Sequence, residues 1–340
     1  MTKARRELIS VEDTPFYHCI SRCVRRAWLC GNDPLTGVNY DHRKQWIVSR
    51  LRFLSYVYAI DIAAYAVLSN HYHVILHVDQ ARADGWTMKE VAERWMQLFK
   101  GNLLVDRWLR EEALSPAQFD LVSETIETWR ERLASVSWFM RCVNETIAGM
   151  ANKEDDCKGR FWEGRFKSQA LLDEAALLTC MTYVDLNPVR AGIAQTLEDS
   201  DFTSVQQRLH TLAQEKQSQT EACQQLAERM EKQEAVKQEI KVDHWPQADL
   251  MPFDGRVHTS IHLALPFTRE DYLELVESTG KVVREDKGGA IPDSVIPVLQ
   301  RFGIDAGLWT EQIQCYGQHF SHCAGRAARM KTYAERFERC

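Results

Sequence analysis

No stretch of this 340-residue chain approaches the roughly 18 consecutive apolar residues that a membrane-spanning helix needs. The opening residues, Met1-Thr2-Lys3-Ala4-Arg5-Arg6-Glu7-Leu8, lack the apolar core of a signal peptide. Ten cysteines are scattered without a Cys-x-x-Cys pair, and the step from Cys19 to Cys23 is not a structural-zinc spacing. The sequence therefore predicts reduced thiols in a cytoplasm, no membrane partner and neither a disulfide framework nor a zinc ribbon. No tandem repeat is visible. Positive charge is not in excess either: the formal net charge is -6, which by itself argues against a nucleic-acid partner.

The charge is unevenly spread, however. Arg22, Arg25, Arg26, Arg43, Lys44, Arg50 and Arg52 crowd the N-terminal part, and Lys158, Arg160, Arg165 and Lys167 form a second group. Acidic residues dominate later, as at Glu221, Glu228, Glu231, Glu234 and Glu239. A local basic surface can bind phosphate on an acidic chain, although such clusters are often only a solvated face.

The most informative run is Tyr65 to Val78, which contains Asn70-His71-Tyr72-His73. It is rich in β-branched and aliphatic residues and broken by Ser69-Asn70, so it predicts two strands, 61–69 and 71–79, joined by a tight turn. Side chains two apart on a strand share a face. His71 and His73 therefore point the same way, where their imidazoles can share one metal ion, and Tyr72 points to the other face. His77 has the same parity but lies ~13 Å beyond His73, at about 3.3 Å per residue, too far to complete one site. Packing or a DNA contact is expected of it.

A second element, residues 173–187, predicts a helix with Asp173 as its N-cap, Glu174 in the first turn, and an end or bend at Pro188. Tyr183 and Asn187 are four apart and share a helix face. Asp185 lies about 200° around the helix from Tyr183 and is a poor partner for it. A tyrosine one turn from an amide, able to meet a His-x-His pair, suits phosphodiester chemistry, with the phenol as nucleophile and a metal as Lewis acid. Asn187 also has an ordinary role in ending the helix before proline.

Asn70-His71-Tyr72-His73 resembles the histidine–hydrophobe–histidine motif of the HUH nucleases. Residues 183–192, from Tyr183 through Asn187-Pro188-Val189-Arg190 to Gly192, resemble the tyrosine helix of the single-tyrosine HUH transposases. Within these the REP-associated tyrosine transposases match best, and residues 16–26 and 159–168 agree with them. The resemblance covers about residues 14–195. It implies a ferredoxin-like or RRM-like palm, Tyr183 as nucleophile, and a divalent metal (Mg²⁺ or Mn²⁺) on His71, His73 and Asn187. It also implies a substrate of single-stranded DNA carrying palindromic hairpin repeats, a nucleoid-associated place in a bacterial cytoplasm, and a monomer or homodimer. Arg22, Arg25, Arg26, Arg165 and Lys167 are the phosphate contacts to expect, while Trp162 and Phe166 either stack on bases or pack in the core. Tyr72 departs from the family's usual aliphatic residue. The helical stretch near 82–135 and everything after Ser200 have no counterpart in its short members. A hairpin-binding regulator without catalysis is the rival on the same fold.

The fold class expected is α+β, an antiparallel sheet with packed helices. Strands are predicted over 15–26 and 161–172, and helices over 42–59, 87–99, 116–132 and 137–151. The expected organisation is a domain over 1–200, a Gln/Glu-rich helical linker over 201–244, and a small helical domain over 245–340, including a helix begun by Thr268 as cap.

Overall fold

The computed structural model describes residues 9–24, 29–33, 37–215, 228–231, 246–254, 264–284 and 291–338. Arg25, Arg26 and most of the expected 201–244 linker lie outside these. Among the described residues, no helix is long and apolar enough to cross a membrane.

Five strands form one sheet in the order β2-β3-β1-β4-β5: β1 Phe16–Arg22, β2 Ile60–Val67, β3 His71–Val78, β4 Lys167–Leu171 and β5 Cys323–Ala324. The first four pair antiparallel, and β5 joins β4 in parallel. Helix α1, His42–Val57, connects β1 to β2, and α6, Val136–Glu154, leads toward β4. The antiparallel order β2-β3-β1-β4 with these crossovers is the ferredoxin-like βαββαβ arrangement, so the α+β expectation holds. Between β3 and α6 the chain inserts α2 Gln80–Gly85, α3 Met88–Met96, α4 Leu103–Leu109 and α5 Pro116–Leu133. Capping boxes at Thr87 and Ser115 start α3 and α5, satisfying amides at each helix start that have no partner within the helix.

Alternation along the strands separates two hydrophobic clusters. Tyr17, Cys19, Tyr72, Val74 and Leu76 face α1, α6 and the inserted helices. Phe16, Ala64, Ala66, Ile75 and Leu171 face α7, Glu174–Asp185, together with α10 Arg269–Val283 and α12 Ala306–Gln314. Tyr72 is fully buried on the first face, and its hydroxyl donates to Asn144 Oδ1 at 2.8 Å. An aromatic at that position thus fills the core and satisfies its polar tip.

Two strand expectations are corrected. β1 ends at Arg22, after which the Val24 amide bonds the Phe161 carbonyl, and Arg25 and Arg26 of the expected strand lie outside the described residues. β4 begins only at Lys167. Residues 161–166 are irregular, with Phe161, Trp162 and Phe166 buried and Trp162 Nε1 donating to the Asn144 carbonyl at 2.8 Å. Their aromatic content, which reads as strand, serves the core instead.

The outer edge of β2 is covered. Val67 N donates to Phe202 O, Tyr65 N to Ser204 Oγ, and Met251 N to Ile62 O. These bonds occupy groups that an open edge would offer to another chain. α9, Ser204–Glu215, packs against the same strand. Further helices among the described residues include α8 Asn187–Arg190, α11 Ile296–Arg301, α13 Tyr316–His319 and α14 Ala327–Glu338. Thr268 caps α10 as the sequence predicts, accepting from Asp271 N at 3.0 Å.

Candidate active site

Strand register assembles the site. His73 on β3 lies opposite Ile20 on β1, which lies opposite Lys167 on β4; one row away, Ile75 faces His18 and His18 faces Gln169; at the strand ends, His71 faces Arg22. With a period of two, all these side chains project to the α7 face. Asp173 Oδ1 accepts from Ala176 N at 2.9 Å, which starts α7 as anticipated. The helix ends at Asp185, and α8 opens with Asn187-Pro188, so the chain breaks where proline predicts.

This geometry brings Tyr183, His73 and Asn187 together within one chain. The Tyr183 ring, half-buried, stands edge-on to His73 with centroids 5.8 Å apart. Asn187, 8% exposed, places Nδ2 3.2 Å from His73 Nε2. The His71 and His73 centroids are 4.9 Å apart, and His71 Nδ1 lies 2.6 Å from Asn70 Oδ1. Asp185 turns away as expected: it accepts from Val205 N at 3.0 Å and Tyr272 Oη at 2.5 Å, and bonds the Ser204 hydroxyl. His77 is fully buried, with Nδ1 3.2 Å from Asp61 Oδ2 and its ring against Phe16, so it packs rather than reaching solvent.

Three participants carry no obvious signal in the sequence. His18, 3% exposed, sets Nε2 2.9 Å from His73 Nδ1. Tyr316 stacks on Tyr183 with centroids 4.6 Å apart and planes 27° apart. Arg190 holds its guanidinium 4.7 Å from the Tyr183 ring centre while donating to Gln314 O at 2.6 Å. His18 and Arg190 both lie inside sequence motifs of the resemblance, but only the tertiary arrangement gives them a place. Of the expected phosphate contacts, Arg22 and Lys167 are exposed on the site's face, and Arg165 is exposed in the segment before β4. Trp162 and Phe166 are core residues.

The imidazoles are kept neutral. Burial lowers the pKa of His18 to about 4, against the opposing hydrogen bond that its Nδ1 donates to Gln169 Oε1. Burial and then the Arg22 charge bring His71 to about 4. His73 lies well below its ordinary value through burial, with His18, His71 and Arg190 adding to the effect. Neutral imidazole is the form a metal binds. Among the described residues no three His, Cys, Asp or Glu side chains are grouped to hold an ion, so a metal here would use the mixed set of His71, His73 and Asn187. These residues fit the role: His73 Nε2 already faces the Asn187 side-chain amide, whose oxygen a half-turn would present. Of these donors, the amide oxygen is the one that suits Mg²⁺ or Mn²⁺, while imidazole nitrogen suits later first-row ions.

The molecule is thus an α+β protein of ferredoxin-like topology, with a tyrosine, two strand histidines and an amide converging on one sheet face. No family model matches the sequence, and no curated protein matches it. One solved structure to which it is similar is that of a REP-associated tyrosine transposase bound to a REP hairpin. It is 15% identical over 62% of this chain and 86% of that chain, with a TM-score of 0.35.

Proposed function

We propose that the protein is a metal-dependent tyrosine endonuclease and strand transferase acting on single-stranded DNA beside hairpin-forming repeats. The observation that carries this reading is the convergence of His71 and His73 on β3 with Tyr183 on α7 and Asn187 on α8, far apart in sequence from the strand. A bound Mg²⁺ or Mn²⁺, held by His71, His73 and Asn187, would supply Lewis-acid polarisation of the scissile phosphate.

Tyr183 Oη attacks phosphorus as the phenol loses its proton to solvent. An Oη–P bond forms, the P–O3′ bond breaks, and the departing 3′ oxygen takes up a proton, leaving a 5′-phosphotyrosine. Attack of a 3′-hydroxyl on that linkage reverses the sequence and rejoins strands without an external energy source. Stacking on Tyr316 and the Arg190 guanidinium hold the phenol ring in place. Arg22, Lys167 and Arg165 position the backbone without reading its sequence; Arg25 and Arg26 retain the same expected role. The protein would work in a bacterial cytoplasm at the nucleoid, with the tyrosine serving its own chain's site.

The test is covalent trapping. Labelled single-stranded hairpin oligonucleotides are incubated with the protein and Mn²⁺, Mg²⁺ or chelator, then resolved on denaturing gels. A metal-dependent protein–DNA band, absent in Tyr183→Phe, is the expected result. Tight hairpin binding with neither adduct nor nicking would instead establish a non-catalytic binding module.

A further inference from the structure

A chain of hydrogen bonds runs from the C-terminal segment into the site, and its donor–acceptor order can be read from one end. Gln169 Nε2 donates to the Ser321 carbonyl at 3.3 Å, which fixes the orientation of the amide. Gln169 Oε1 is then the acceptor facing both neighbours: Tyr316 Oη donates to it at 2.7 Å, and His18 Nδ1 lies 3.3 Å away. An amide oxygen only accepts, so His18 Nδ1 must carry hydrogen. A neutral His18 then has its lone pair on Nε2, which lies 2.9 Å from His73 Nδ1. His73 must therefore carry hydrogen on Nδ1 and keep its lone pair on Nε2, the nitrogen that faces Asn187.

We propose that Tyr316, Gln169 and His18 are positioning residues that lock His73 in the Nδ1–H tautomer and so present Nε2 as a ligand. The chemistry is that of an outer partner orienting a metal-binding imidazole, with a second imidazole as the partner and the C-terminal segment as the anchor. Asn70 does the same for His71: its Oδ1 accepts from Nδ1 and leaves Nε2 bare. The two histidines of the strand are thereby set in matching tautomers by unrelated neighbours. The metal-site part rests on the proposed nuclease function; the tautomer assignment does not.

The experiment uses the full chain labelled with ¹⁵N in histidine, free of metal and DNA, with tautomers read from long-range ¹H–¹⁵N correlations. The His73 signals are assigned by their loss in His73→Asn. The expected result is a single Nδ1–H tautomer for His73 in the wild type. In Gln169→Leu that tautomer gives way to a mixture, and Mn²⁺ affinity falls on the order of 10- to 100-fold by calorimetry. Gln169→Glu sets a carboxylate against His18 Nδ1, favours the protonated His18, and should turn an Nε2–H toward His73 Nδ1 so that His73 shifts to its Nε2–H tautomer. Tyr316→Phe, the mildest change, tests the outermost link while the remaining histidine signals report that the fold is intact. A wild-type His73 protonated at Nε2, or a tautomer unmoved in Gln169→Leu, overturns the proposal. Absence of a DNA adduct with the tautomer assignment intact would strike only the nuclease reading.

Discussion

Two changes one helix turn or less apart separate chemistry from folding. Tyr183→Phe removes only a hydroxyl from a half-buried ring that keeps its Tyr316 and Arg190 neighbours. Folding stability should therefore stay within about 0.5 kcal/mol of wild type while adduct formation vanishes. Asp185 has the opposite character. Its carboxylate is fully buried, hydrogen-bonded to Ser204, Val205 N and Tyr272, and sits in the field of the buried Arg208. Asp185→Ala would leave the Ser204 and Tyr272 hydroxyls and the Val205 amide without their buried acceptor, a loss of about 2–3 kcal/mol measurable by urea titration. A loss below ~1 kcal/mol would mean that these groups find other partners in the variant. The shared face of His71 with His73, and of Tyr183 with Asn187, was legible because periods of 2 and 3.6 convert spacing directly into a face, while the grouping of these residues into one site came from the motif resemblance. His18, Gln169 and Tyr316 were not legible, because each looks ordinary alone and only strand register and a returning segment unite them.

Among the elements, the sheet does more than carry the histidines. The ends of β1 and β4 set Arg22 and Lys167 on the histidine face, both exposed. If they meet the phosphates of a single strand, Arg22→Ala and Lys167→Ala should each weaken binding for all sequences alike. Each should also reduce the slope of log affinity against log salt by about 0.7. Fluorescence anisotropy across a salt series measures this, and an unchanged slope in both variants would remove the sheet ends from the DNA interface. The existence and type of β2, β3, α1, α5, α6 and α7 were readable because each is long and strongly patterned. The start of β4 was not, since Phe161, Trp162 and Phe166 have strand-like side chains but find their burial in an irregular segment. β5 is two residues long and offers no pattern to read.

At the scale of the whole molecule, the buried imidazoles tie stability to pH. The folded-state pKa of His18 is about 4, below the 6.5 of the free side chain. Between those values the unfolded chain binds a proton that the folded chain does not, so stability rises with pH across this window. His18 should therefore contribute no loss above about pH 6.5, and a decline of up to ~1.4 kcal/mol per unit as pH falls toward 4. His73 acts in the same direction. Urea midpoints at pH 7 and pH 5 for wild type and His18→Phe check this. The variant should show the shallower dependence, and identical dependences would exclude the imidazole as the cause. The ferredoxin-like core could be anticipated from the motif resemblance but not from pattern, and the way residues 264–338 rejoin it from neither, because those contacts span most of the chain's length. The parallel pairing of Cys323–Ala324 with β4 has a consequence in the order of synthesis. A ribosome delivers the amino end first, so Tyr183 and both strand histidines emerge well before Tyr316 and Ser321 exist. A nascent chain thus holds Tyr183 before the tyrosine that stacks on it exists, and a chain cut before Cys323 leaves the β4 edge bare.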